Sequence, residues 1–259
     1  MDFITRPLGV VLGYIYAFTN SYGLSIVLFT VFMKILLLPL VIKQQKSMSE
    51  TQKVQPLIAE LQKKYKNDKE KLNQEMMKLY QKHKVNPAGG CLPLLIQLPI
   101  MFGLYRVIYQ PLKYILNKSV EEIKALGESF TPPIDVRNEI AIASESGLIN
   151  LHFLGLNLAE TPQFNVISIL WIIPILAAGT TYLSSYLTSK MSSSTGQNQQ
   201  ATQMQSGMMK FFPFMTAFIS FQLPAGVGLY WVVSNIVQVI QQIFLNKYFA
   251  PGQKEGKES

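Results

Sequence analysis

The sequence predicts an all-α membrane protein. Five transmembrane helices surround an inward-open hydrophilic groove, with a cytoplasmic antiparallel helical hairpin and an N-terminal interfacial helix. Three observations point there. Of the 259 residues 49% are hydrophobic and the mean hydropathy is +0.21, the composition of a chain embedded in lipid. Apolar stretches fall at 24–42, 91–109, 166–187 and 211–245. Finally, the basic residues sit mainly on alternate connections between those stretches.

Residues 1–20 come first. The apolar run from Leu8 to Phe18 is too short to span and follows only Arg6, with no small-residue cleavage site after it. An interfacial amphipathic helix is the expectation. The first span is assigned to 21–43. A helix over "LSIVLFTVFMKILLLPLVI" (24–42) is about as long as a hydrocarbon core is thick, ~30 Å.

Residues 44–88 read as two amphipathic helices. Val54, Leu57, Ile58, Leu61 and Tyr65 recur at helical spacing, as do Leu72, Met76, Leu79 and Tyr80, with a turn expected at 66–68. Each helix has a narrow apolar stripe and a basic opposite face. The pair is either a solvated connector or a docking arm. The second span is assigned to 89–110 and an extracytoplasmic loop to 111–164. The third span takes 165–188, a cytoplasmic loop 189–208 and a short fourth span 209–223. "LPAG" (223–226) breaks the last apolar stretch, so the fifth span takes 225–246 and a cytoplasmic tail 247–259.

Loop charge orients these spans. Residues 43–90 carry eleven Lys against five acids, whereas 111–165 carry four basic residues against seven acidic ones. The lysine-rich side is cytoplasmic, which puts the N-terminus outside and the C-terminus inside. The net charge of +8 is chiefly a topology signal, with the cytoplasmic excess available to anionic lipid or ribosomal RNA.

Several chemistries are unsupported. Cys91 is the only cysteine and reads as a small hydrophobe; His83 and His152 lie far apart, so no metal site is expected. No phosphate-loop motif is present. The chain is not expected to be an enzyme or to carry a cofactor.

One charge stands out. Lys34 lies one place past the middle of the first apolar stretch, where an ammonium costs about 2.5–3.5 kcal/mol on insertion scales. None of the apolar stretches contains Asp or Glu, so a salt bridge within the membrane is unavailable. A water-filled cavity, a partner bringing negative charge, or neutralisation remain. Thr30 lies one turn earlier on the same face. Thr180, Thr181, Ser184 and Ser185 crowd the cytoplasmic half of the third span, Asn235, Gln238 and Gln242 share a face of the fifth, and Gln97 is a polar side chain in the second. Singly these read as helix–helix hydrogen bonders. Together with an unpaired lysine they describe a hydrophilic groove opening inward.

These segments resemble a known family. "QEMMKLYQKHKVNPAGGCLPLLIQLPIMFGLY" (74–105) is similar to the hairpin exit and following span of the YidC membrane-protein insertases and their Oxa and Alb relatives. "LPAGVGLYWVVSNIVQVIQQ" (223–242) is similar to their last span. In "FTVFMKILLLPL" (29–40), Lys34 occupies the place of the family's groove cation. Most members carry arginine there; lysine keeps the charge but loses the bidentate fork. Thr30 and Trp231 match positions the family uses around its substrate, and the outer loop 113–150 is longer than usual.

The resemblance implies an insertase of the bacterial plasma membrane, in which Lys34 holds the acidic tail of an incoming segment. Nascent membrane proteins and membrane lipid are the implied partners, with the ribosome, the signal recognition particle receptor and the Sec translocon as further candidates. DNA is not among them, and a monomer is expected to function. The alternatives are a small-solute transporter, disfavoured by an odd span number and no evident repeat, and a non-catalytic assembly scaffold.

Overall fold

The computed structural model describes residues 2–83, 85, 92–192 and 211–249. Helix α1 (Asp2–Thr19) buries Leu8 and Leu12 and exposes Phe3, Val10, Tyr14 and Phe18 along the opposite stripe. Gly9 and Gly13 let it approach another backbone: a Cβ on Gly9 would lie 2.8 Å from the Tyr114 carbonyl oxygen.

Helix α2 (Tyr22–Leu36) starts at Ser21, whose hydroxyl accepts from the Leu24 N–H. It is not followed by a straight continuation. Helix α3 (Leu38–Lys64) begins after Leu37, and the segment to Thr51 departs from α2 by 53°. Pro39 has no N–H for the carbonyl of residue 35, which is the local reason a single helix does not persist. The first apolar stretch is therefore two helices meeting at an angle. Lys34, expected mid-span, stands in the last turn of α2.

Helix α4 (Lys69–Lys82) starts at Asp68, whose carboxylate accepts from the Lys71 N–H at 3.0 Å. Val54 and Ile58 of α3 are buried with Val85, against Met76, Leu79 and Tyr80 of α4. These pairs lie at matching distances on either side of the turn, so the two helices run antiparallel.

Helix α5 (Leu92–Tyr109) has 18 residues, about 27 Å of helix. Among the described residues, two single helices are long and apolar enough to cross a membrane: Ile169–Thr188, which is a 3₁₀ turn (Ile169–Trp171) leading into α9 (Ile172–Ser192), and Ala225–Leu245 within α11 (Ala225–Phe249). The bent pair α2–α3 qualifies as a third. Among the described residues a further apolar helix, α10, covers Phe211–Ser220. The loop expected at 189–208 lies outside the described residues beyond Ser192, and the tail outside them beyond Phe249.

Residues 111–164 are folded rather than a plain loop. They form α6 (Pro111–Tyr114), α7 (Val120–Glu128), α8 (Glu139–Ser146) and a two-stranded antiparallel hairpin of β1 (His152–Phe153) and β2 (Leu156–Asn157). Ser119 and Glu122 close a reciprocal cap at the start of α7. Ile123, Ile142, Ala143, Ile149, Leu151 and Leu158 join Leu104, Ile108 and Leu112 in the main apolar core, which continues to Tyr22, Ile26 and Phe29 of α2. Glu139 is 3% exposed and its carboxylate accepts from the Lys113 backbone N–H at 2.7 Å. Burial pushes its carboxyl above the usual carboxylate range.

This cap ties the helix ends together. Tyr22 N–H donates to the Asn150 carbonyl at 3.1 Å, and its hydroxyl donates to the Ile108 carbonyl at 2.9 Å. The N–H groups of Ala225 and Gly226 donate to the carbonyls of Glu160 and Leu158 at 2.8 and 3.0 Å. Those two donors begin a helix and lack partners within it; the cap satisfies them.

Candidate functional site

Helix α11 carries the site. At about 3.6 residues per turn, Trp231, Ser234, Asn235, Gln238, Gln241 and Gln242 fall in one stripe. Ile236, Ile240, Ile243 and Phe244 fall opposite and are exposed. The apolar side suits lipid contact. The polar side faces α2 and α9, and its hydrogen bonds divide between them.

Toward α9, Asn235 Nδ2 donates to Thr181 Oγ1 at 2.8 Å and to Thr180 Oγ1 at 3.2 Å. Seven residues on, Gln242 Nε2 donates to Thr188 Oγ1 at 2.9 Å. Ser184, between those contacts, is buried, and its carbonyl accepts from the Thr188 hydroxyl. This row is a helix–helix clamp. Gln242 Oε1, buried and without a protein partner among the described residues, is its unsatisfied end.

Toward α2 the arrangement differs. Lys34 Nζ donates to Gln238 Oε1 at 3.5 Å, long for an N–H···O hydrogen bond. Gln241 Nε2 donates to the Lys34 backbone carbonyl at 3.0 Å. Thr30 is 1% exposed and its hydroxyl donates to the Ile26 carbonyl of its own helix. Trp231 is half-buried at the start of the stripe.

Among the described residues, ion pairs join Lys78 to Glu75, Lys118 to Glu122, Lys124 to Glu128 and Arg137 to Asp135. Lys34 is in none of them. A half-buried ammonium thus faces a neutral amide at the limit of bonding distance.

The structure brings Lys34 and Gln238 together, and Asn235 and Thr181 together with Thr180. Ser184 packs beside that second group. The side chain of Gln97 lies outside the described residues. The sequence reading passed over Thr188 and Gln241. The spacing from Gln238 to Gln241 signalled the latter's place on the stripe; nothing in the sequence signalled that it would reach a backbone carbonyl. Among the described residues no group of His, Cys, Asp or Glu is arranged to hold a metal.

Residues 14–253 match the family model described as 60Kd inner membrane protein. The chain belongs to that family. It is 36% identical over 230 residues to the membrane protein insertase YidC of Fusobacterium nucleatum, covering 89% of this chain and 88% of that one. It is 37% identical over 249 residues to the YidC insertase of Caldanaerobacter subterraneus, covering 95% and 96% respectively. Its fold is similar to that of a crystallised active YidC insertase with its first transmembrane domain resolved. There the TM-score is 0.57 at 27% identity over 92% of this chain. The chain spans 45% of the length of that crystallised protein. These relatives are named as insertases rather than as catalysts of a covalent reaction, as the residues led one to expect.

Proposed function

We propose that this protein inserts hydrophobic segments into the bacterial plasma membrane and holds their acidic translocated tails at Lys34. The observation that carries this reading is the state of the Lys34 ammonium. It is half-buried on α2 against the polar stripe of α11, outside every ion pair among the described residues, and contacts Gln238 at 3.5 Å. A carboxylate bonds such a group at a shorter distance and adds the attraction of a full negative charge, which a neutral amide lacks. The tail of an incoming segment therefore displaces Gln238, and the displacement is reversible because nothing covalent forms.

In this reading the seam between α2 and α11 is the groove, open toward the cytoplasm and closed outside by the cap. Five segments cross or enter the membrane, with the N-terminus outside, the C-terminus inside and the α3–α4 hairpin in the cytoplasm. The basic face of that hairpin receives nascent chains, with the ribosome, the signal recognition particle receptor and the Sec translocon as the partners its charge suits. The membrane potential favours outward passage of the tail by about 2.3 kcal/mol per charge per 100 mV. The apolar part of the substrate then moves into lipid.

Insertion into inverted membrane vesicles by Lys34→Ala tests this with paired substrates that differ only in tail charge. Selective loss of the acidic-tailed substrate is expected. Equal insertion of both overturns the counter-ion role. Retention of activity for every substrate favours a scaffold instead.

A further inference from the structure

A helix ends with four carbonyls that have no intrahelical donor. At the end of α2 the Leu37 N–H serves the carbonyls of Met33 and Ile35, and the Leu37 carbonyl is taken up by Leu40 and Val41 of α3. The carbonyl of Lys34 receives its hydrogen bond from a different helix: Gln241 Nε2 donates to it at 3.0 Å. Three residues earlier on α11, Gln238 meets the Nζ of the same lysine at 3.5 Å. One turn of α11 thus grips both ends of Lys34, the main chain firmly and the side chain weakly. Immediately beyond the gripped carbonyl, α2 and α3 diverge by 53°, and α3 continues to Lys64 as one arm of the hairpin.

From this we infer that Gln241 is a positioning residue. Its hydrogen bond to the Lys34 carbonyl latches the α2–α3 bend and thereby sets the direction in which the hairpin leaves the groove. The inference rests on the reading of Lys34 as the groove cation, but the latch acts through backbone geometry and not through substrate charge. While latched, the bend holds the arm in one orientation and the ammonium beside Gln238. When the latch is free, the angle at Leu37 varies and the arm moves with it. Gln238 has a separate job, since its hydrogen bond goes to the side chain.

The test uses the full chain reconstituted in lipid vesicles, with spin labels at Lys66 in the hairpin turn and Leu183 on the exposed face of α9. A second pair, Leu183 and Ile236, reports the α9–α11 clamp. Gln241→Met removes the donor at nearly constant length, and Gln241→Leu removes it with a shorter apolar side chain. Both are expected to broaden or shift the Lys66–Leu183 distance distribution while leaving Leu183–Ile236 unchanged. Both are also expected to lower insertion of acidic and neutral tails alike, by about threefold to tenfold. Gln241→Lys, which restores an N–H donor of sufficient reach, is expected to narrow the distribution again. Gln238→Met is expected to leave both distributions unchanged.

An unchanged hairpin distance in Gln241→Met and Gln241→Leu overturns the latch. So does simultaneous broadening of the Leu183–Ile236 pair, which would make Gln241 a general packing residue. Loss of tail discrimination as the criterion at Lys34 is a separate outcome. If Lys34→Ala treats both tails equally while the Gln241 variants still free the hairpin, the counter-ion reading fails and the latch stands.

Discussion

The two flanks of α11 are built from the same kinds of polar side chain but are held differently. On the α9 flank, Asn235 and Gln242 donate to threonine hydroxyls at 2.8, 3.2 and 2.9 Å, neutral donor to neutral acceptor. On the α2 flank a full positive charge meets a neutral amide at 3.5 Å. The first arrangement leaves little for a newcomer to improve, whereas the second improves whenever a carboxylate arrives. In the proposed function the second seam is the one that parts and the first is the one that stays shut. The mark is not the number of polar groups but whether their charges are matched.

The largest expected effect reverses the charge on the parting seam. Lys34→Glu should lower insertion of acidic-tailed substrates by roughly tenfold to a hundredfold, the equivalent of losing a hydrogen bond to a charged group worth about 1.5–3 kcal/mol. Like charges then meet where water screens poorly. Protein abundance should not fall in parallel, because no native ion pair is broken among the described residues. Quantitative insertion assays alongside immunoblots would measure both; parallel loss of protein would mean that Lys34 is structural.

Next comes the outer closure shared by both flanks. Gly23 on α2 lies so close to Phe153 that a Cβ at that position would overlap the phenylalanine Cβ and ring. Gly23→Val should force β1 away from α2, at a cost of about 1–3 kcal/mol for overpacking. A lower unfolding midpoint and new reactivity of a cysteine introduced at Tyr22 toward impermeant thiol reagents are expected. An unchanged midpoint would show that the cap does not close the seam.

A smaller effect belongs to the fixed flank. Asn235→Ala removes its amide bonds to Thr180 and Thr181, and hydrogen bonds between membrane helices contribute only ~0.6 kcal/mol each on average. Insertion should stay near normal and stability should fall slightly. If this variant impairs acidic tails as strongly as Lys34→Glu does, the contrast between flanks is wrong.

The smallest expected effect lies in the cap. Burial raises the Glu139 carboxyl above its ordinary range, so the folded cap binds that proton more tightly than the unfolded chain. The resulting stabilisation is complete below the unfolded pKa and is lost as pH rises through the raised folded value. Glu139→Gln should flatten the pH dependence of unfolding over that window. A slope that persists would assign it to another group.

Much of this was legible without coordinates. Apolar stretches at 24–42, 91–109, 166–187 and 211–245 identify a membrane chain because burying their side chains in lipid dominates every local preference. The periods of Val54–Ile58 and Met76–Leu79 identified the paired helices, since α-helical spacing places those residues on one face. Lys34 drew attention because a charge in a long apolar run is costly wherever the run sits. The polar stripe of α11 could be read from Asn235, Gln238 and Gln242 for the same geometric reason.

Tertiary structure decided the rest. Periodicity says which residues share a face but not which neighbour that face meets, so only packing assigned Asn235 to α9 and Gln238 to α2. Pro39 lay inside the stretch read as one span, and because proline also begins helices the residue alone did not place a bend. The 53° angle depends on where α11 and the hairpin can pack. The length of residues 111–164 gave no sign of a cap, because its core uses Leu104, Ile108 and Tyr22 from distant segments. Gln241 escaped notice for the most general reason. A side chain's partner can be a main-chain carbonyl freed by the end of another helix, and every residue carries that carbonyl, so sequence cannot mark it.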